Sequence, residues 1–256
     1  MKTLGAFLKK EWTEQIRSSR LLILGLIFLT FGIMNPAIAK LTPWMMEMLA
    51  ESMEEAGFAV TEVKVDAMIS WTQFYKNIPM ALIAFVLLQS NIFTKEYQSG
   101  TLILALTKGL ERYKVVLAKT IVLISTWTFG YWLCYGVTYA YNAYFWDNSI
   151  AGYLGVAAVY WWLIGIWVLA LMVLFSVMGS SNSGVLLGTG GIFLAVYLLS
   201  LIPKLKEYMP TQLMNGMNLL KKVTEPGDYM KSLIVAGVTM VICFMISIPL
   251  FNKKRL

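Results

Sequence analysis

The chain has 256 residues, of which 58% are hydrophobic and 14% charged, with a net charge of +7 and no histidine. Soluble domains carry about 25% charged residues, and from Thr120 to Pro203 the only charged side chain here is Asp147, so the chain reads as a polytopic membrane protein. The missing histidine excludes HExxH zinc sites and Ser-His or Cys-His catalytic pairs.

No GxxxxGK(S/T) loop occurs, so the chain carries no P-loop. No catalytic motif and no metal site are expected. The basic excess does not point to nucleic acid, because thirteen of the 21 Lys and Arg lie in segments expected beside an anionic inner leaflet. Cys134 and Cys243 both fall in expected spans, and no disulfide is predicted.

Residues 3–20 read as an interfacial helix. Leu4, Phe7, Leu8, Trp12 and Ile16 share one face, and Lys9, Lys10, Thr13, Glu14 and Arg17 the other. Glu11 and Gln15 lie within the apolar face, and an acid there needs a partner or water. Residues 21–39 form the first span. Ala37-Ile38-Ala39 resembles a cleavage site, but the charged helix before the span and the later spans favour an uncleaved anchor with its N-terminus inside.

Residues 40–66 are an outer loop. Thr42-Pro43 predicts a helix start, with Glu47, Glu51, Glu54 and Glu55 on one face, Met45, Met48, Leu49 and Met53 on the other, and an end near Gly57. That helix reads as a cap on the outer rim, or as a lid that meets cationic cargo. Glu62 and Asp66 add to the acidity of the loop. Asp66 is placed to cap the second span, residues 67–93, whose outer boundary is marked by Trp71, Phe74 and Tyr75.

Residues 94–119 carry five basic side chains against Glu96 and Glu111, which predicts a cytoplasmic location. Ser99-Gly100-Thr101 opens a short apolar helix and Gly109 is placed to end it. Such a helix must be buried by headgroups, by the protein's own bundle or by a soluble partner, and we favour the partner.

The third span is 120–145. Thr128, Tyr131, Tyr135, Thr138, Tyr139 and Asn142 form a stripe about 100° wide. It reads either as interhelical hydrogen bonding or as the wall of a substrate path. Spans four, five and six are 151–178, 184–202 and 232–251, and Gly184, Gly188 and Gly191 give the fifth a small-residue spacing suited to close helix packing. Residues 203–231 stay outside by span parity despite five lysines, and Met209–Leu220 is too short to cross, so it reads as a re-entrant or rim helix. Both termini are then cytoplasmic. The fold class is all-α, with six transmembrane helices.

The layout resembles the ABC-2 type transporter permeases, the membrane subunits of ATP-binding-cassette exporters. Lys9-Lys10-Glu11, then Arg17-Ser18-Ser19-Arg20 and a span, looks like the family's N-terminal helix. Phe93, Glu96, Gly100-Thr101-Leu102, Leu106, Arg112 and Lys119 look like its inner loop, with Gly109 and Glu111 where Pro and Ser are more usual. The resemblance implies a coupling helix, Gly100 to Thr107, docked in a separate ATPase subunit. Leu102, Ile103 and Leu106 would be its knobs, and Glu96, Arg112 and Lys114 polar contacts at the rim; Glu96 and Arg112 read equally as an intramolecular pairing that fixes the loop. ATP and Mg would be held by that partner, and a second membrane subunit would complete a homodimer in a bacterial cell membrane.

An amphipathic or hydrophobic cargo, such as a peptide, toxin or drug, suits the uncharged aromatic stripe Thr128, Tyr131, Tyr135, Tyr139 and Asn142. The subgroup expected is that of exporters of bacterial peptide toxins, bacteriocins or antimicrobials. Two alternatives stay open. An ATP-independent carrier would need an ionisable residue in mid-membrane, and none is visible there in 21–39 or 120–202, where the one charge, Asp147, falls in the turn between spans. A non-transporting anchor for an ATPase-like partner would show the same layout.

Overall fold

The computed structural model describes residues 2–55 and 65–254 and is helical throughout, with no strand among the described residues. The helices are α1 (Lys2–Arg17), α2 (Arg20–Glu55), α3 (Ala67–Gln89), α4 (Thr94–Gln98), α5 (Thr101–Thr107) and α6 (Arg112–Phe145). They continue with α7 (Leu154–Met178), α8 (Asn182–Leu199), α9 (Pro203–Lys206), α10 (Gly216–Leu220) and α11 (Met230–Lys253). Six stretches are long and apolar enough to cross a membrane, and α5 belongs to none of them.

The predicted helix start at Thr42-Pro43 does not occur. α2 runs unbroken through Pro36 and Pro43, and the Thr42 hydroxyl bonds back to Ile38 O at 2.9 Å. A proline removes only one N–H from a helix. For Pro36 the carbonyl left over is Gly32 O, and the Thr138 hydroxyl on α6 donates to it at 3.0 Å. Asn35 continues the seam, donating to Thr138 Oγ1 at 3.2 Å and accepting from Asn77 of α3 at 2.9 Å. Such bonds hold helices together where water cannot replace them. Glu47, Met45 and Met48 are exposed. Gly57 and Glu62 lie outside the described residues, as do the side chains of Leu49, Glu51, Met53, Glu54 and Glu55.

Asp66 caps α3, accepting from Ile69 N at 3.2 Å. α3 ends at Gln89, one turn before the expected boundary, and α6 begins at Arg112, so the first two turns of α6 lie in the stretch expected to be a loop. α7 is the hub. Gly165 on its α6-facing side sits against Trp127, and a Cβ there would lie 2.0 Å from the indole. Trp127 in turn meets Phe28 of α2 and Phe85 of α3 edge-on, with centroids 5.8 and 5.5 Å away. Gly130 and Gly188 allow the same close approach to Phe28 and Phe175.

Residues 203–229 form short turns instead of one rim helix. Pro210, Leu213, Gly216, Leu219 and Leu220 are buried at one end of the bundle. Trp161 Nε1 donates to Met214 O at 3.1 Å and Gly152 N to Leu220 O at 2.9 Å. That end also holds the Trp71–Asn148 bond at 3.0 Å. The opposite end gathers α1, α4, α5, the 179–181 turn and Lys254. Among the described residues the segments at this second end carry twelve basic and four acidic residues, against seven and nine at the first.

Gly165→Val should therefore cost at least about 1–3 kcal/mol through overpacking against a rigid indole. Gly190→Ala, where an added Cβ meets nothing within 4 Å, should stay within about 0.5 kcal/mol. Thermal size-exclusion profiles of the two detergent-solubilised variants check this.

Candidate functional site: a buried ion network behind α5

α1 buries a line one turn apart, Phe7, Glu11 and Gln15, while Ile16 is exposed. The buried stripe is thus rotated from the one hydrophobicity alone predicts, because a charged partner waits beneath it. Glu11 is 3%, Lys119 1% and Glu96 6% exposed. Lys119 Nζ at the base of α6 donates to Glu11 Oε2 at 2.9 Å and to Ile92 O at 2.9 Å. It lies 3.0 Å from Glu96 Oε2, at an angle that makes an ion contact but not a hydrogen bond.

Lys10 Nζ closes the ring from the outer side. It donates to Glu11 Oε1 at 2.9 Å, bonds Glu96 Oε1, and stands 3.2 Å from Glu14 Oε2. Lys95 reaches Glu14 Oε1 at 3.0 Å. Gln15 and Gln89 exchange reciprocal amide bonds at 2.9 and 3.1 Å. Three acids thus face three lysines. Burial works against the charge on Lys10, but hydrogen bonds to Glu96 and Glu11 raise its pKa above the ordinary lysine value. Burial also works against Glu14, yet Lys95 and Lys10 hold its carboxyl down to about 2.

Carboxylate oxygens of Glu11, Glu14 and Glu96 come within 4.8 Å of one another, a spacing a hard cation could use. The Lys10 ammonium already contacts all three, so an amine stands where such an ion would.

α5 hangs from this network between two left-handed glycines, Gly100 (φ 67°) and Gly109 (φ 87°). Gly109 ends the helix, with Leu110 N returning to Ala105 O at 3.3 Å, and Thr101 Oγ1 pairs with Ser99 Oγ at 2.8 Å. Leu102 is 2% exposed and faces the chain's own core, Leu106 packs partly against that core, and Ile103 (44%) and Leu104 (65%) project outward. One crevice beside α5, of about 510 Å³, runs under α1 to Leu104, and another of about 220 Å³ separates Ile103 from Lys254.

Residues 6–226 match the family model described as ABC-2 family transporter protein. The chain belongs to this family. It is a multi-pass membrane protein, the permease of an ABC transporter, from a family that works with an ATP-binding subunit. No curated protein matches the chain.

In this permease Glu96, Arg112 and Lys114, expected at the rim of the coupling helix, all make contacts within the chain. Glu96 is taken up by Lys10 and Lys119. Arg112 Nη1 donates to the carbonyls of Phe251, Asn252 and Lys254 at 3.0, 3.3 and 2.7 Å. Lys114 bonds Glu111 at 2.8 Å and Thr3 at 3.2 Å. Lys9 is exposed. Leu102 is likewise a core residue, and Leu104, absent from the expected knobs, is the most exposed side chain of the apolar pair.

Most of the expected stripe packs against neighbouring helices. Thr128 accepts from Trp162 Nε1 at 3.0 Å, and Tyr131 donates to Ala158 O at 2.7 Å within a cluster with Phe74 and Trp127. Tyr135 lies between Trp71 and Tyr139, which is half exposed. Asn142 is fully buried with neither amide atom paired inside the chain. α6 packs on α1, α2, α3, α7 and α11, and Thr128, Tyr131 and Thr138 spend their hydroxyls on neighbouring helices. An open apolar cleft of about 290 Å³ lies elsewhere, between α3, α7 and α8, with Leu82, Val86, Trp161, Thr189 and Phe193 on its walls. Gly190 of α8 and Pro79 of α3 also line it.

Lys119→Met should destabilise the permease by about 3–5 kcal/mol, because it leaves buried carboxylates uncompensated, and Glu11→Met with Lys119→Met should recover part of that. Thermal midpoints in detergent report both. The depressed Glu14 carboxyl adds stability that is present above the ordinary carboxylate range and is lost as pH falls from 4.5 toward 2. Glu14→Gln should flatten that part of the stability curve.

Proposed function

We propose that this permease is the membrane half of an ATP-driven exporter whose coupling helix is α5. The observation that carries the reading is the apolar pair Ile103 and Leu104, exposed on a helix outside all six spans and fixed to the bundle through Glu96. Apolar side chains presented this way on a firmly held peg suit a groove in a soluble partner. That partner would hold ATP and Mg. The basic excess at the α5 end supports a cytoplasmic location for α5, α1 and both termini, in a cell membrane.

A hydrophobic or amphipathic cargo is supported by the cleft between α3, α7 and α8, whose walls are nearly all apolar. The exposed face of α8, with Leu187, Leu194 and Leu198, supports a second copy of the permease as the other wall of a shared path. Outward movement of peptide-like or drug-like molecules is the reading that best joins these features.

Replacing both Ile103 and Leu104 by Asp should weaken co-purification of the ATPase subunit at least about 100-fold while leaving the size-exclusion profile unchanged. Leu102→Asp should instead prevent folding, because that side chain is core. If the Ile103/Leu104 double variant still holds the ATPase at wild-type affinity, α5 is not the coupling helix. ATP-dependent loss of a fluorescent amphipathic peptide from cells or inverted vesicles then tests export, and ATP hydrolysis without any cargo movement would favour the anchor reading.

A further inference from the structure

Helix ends leave carbonyls without intrahelical partners and carry the negative end of the helix dipole. At the α5 end of the bundle, two such ends are capped by cations from other elements, in series. Arg112, the first residue of α6 and three residues after Gly109, donates to Phe251 O, Asn252 O and Lys254 O, which terminate α11. The residue so held, Lys254, sends its own ammonium to Val177 O at 2.8 Å and to Gly179 O, which terminate α7. Tyr97 of α4 lies under that ammonium, 4.1 Å from ring centroid to Nζ. Phe251 packs against Phe93 and Tyr97, both with centroids 6.3 Å away.

The series matters because of where it ends. Gly179 begins the turn into α8, whose cap is Ser181 accepting from Gly184 N at 3.2 Å. α8 packs chiefly on α7, and together with α3 these helices form the apolar cleft. The buried network around Lys119 ties α5 to α1, α3 and α6 but does not touch α8. The capped helix ends give a displacement of α5 a route to the far wall of the cleft that does not pass through this network.

We infer that Arg112 and Lys254 are positioning residues of a second transmission line, which carries movement of α5 through the end of α11 to the α7–α8 turn. The inference rests on the coupling-helix reading for its trigger, but the linkage itself is a property of the chain alone.

Amide hydrogen exchange on the full chain in lipid nanodiscs, with and without its ATPase subunit, tests it. In the chain alone, Arg112→Ala should speed exchange about tenfold in both 249–254 and 177–183. Arg112→Lys should restore most of the protection. Lys254→Met should affect 177–183 only, and adding it to Arg112→Ala should speed that turn no further. Unchanged exchange in 177–183 for Arg112→Ala, or additive effects in the double variant, would overturn the linkage whether or not an ATPase binds.

In the complex, a non-hydrolysable ATP analogue should alter exchange in 94–111 and in 177–183. With Arg112→Ala the first response should persist and the second vanish, and a surviving second response would overturn the transmission role. A wild-type chain that binds no ATPase would instead count against the coupling-helix reading, and the exchange pattern of the chain alone would still decide the linkage.

Discussion

The pairing of Lys119 with Glu11 and Glu96 is the constraint on which the rest of this permease depends. Each of the three is nearly withdrawn from solvent, and an unpaired buried charge costs several kcal/mol. The cluster is therefore stable only as a set, and completing the set requires α1, the α3–α4 corner and the base of α6 to meet at one point. The placement of α5 follows, because Glu96 lies four residues before Gly100 and is fixed in space. A short helix between two left-handed glycines would otherwise have little to define its direction.

Elsewhere the fold meets a different demand. Between helices in lipid, apolar surface gives no preference for protein over acyl chains, so close contact and hydrogen bonds must do the holding. The glycines at 130, 165 and 188 admit aromatic rings against backbone, and indole N–H groups of Trp127 and Trp161 find carbonyls on other elements. Thr138 answers the carbonyl that Pro36 leaves free, so a proline that would break a helix in water becomes a point of attachment in α2.

Hydropathy made the six spans legible, and cap chemistry made Asp66, Gly100 and Gly109 legible, because these are local properties of the chain. The direction in which a side chain points was not. A helix at a membrane surface is apolar toward lipid and toward protein alike, so the periodicity of α1 could not reveal that Glu11 and Gln15 face the bundle while Ile16 does not. The same ambiguity hid the inward turn of Leu102 and the dispersal of the α6 stripe among α2, α3 and α7. Prolines misled for a related reason: Pro43 has the look of a helix start, and α2 simply continues past it. Lys119 stood out in sequence only as one more positive charge at a span boundary, and its partners are 23 and 108 residues away.

The charges of the network cancel: Glu11, Glu14 and Glu96 against Lys10, Lys95 and Lys119. Its buried members are also poorly screened by salt, which damps the field of solvent-facing charges over about 8 Å at physiological ionic strength but does not enter the buried cluster. The basic excess of the same end resides instead in exposed side chains such as Lys9, Arg17 and Lys108. Raising the salt concentration will thus screen those exposed charges while the seat of α1 on the bundle holds, which separates the outward pull of this end from what fastens α1 to the protein.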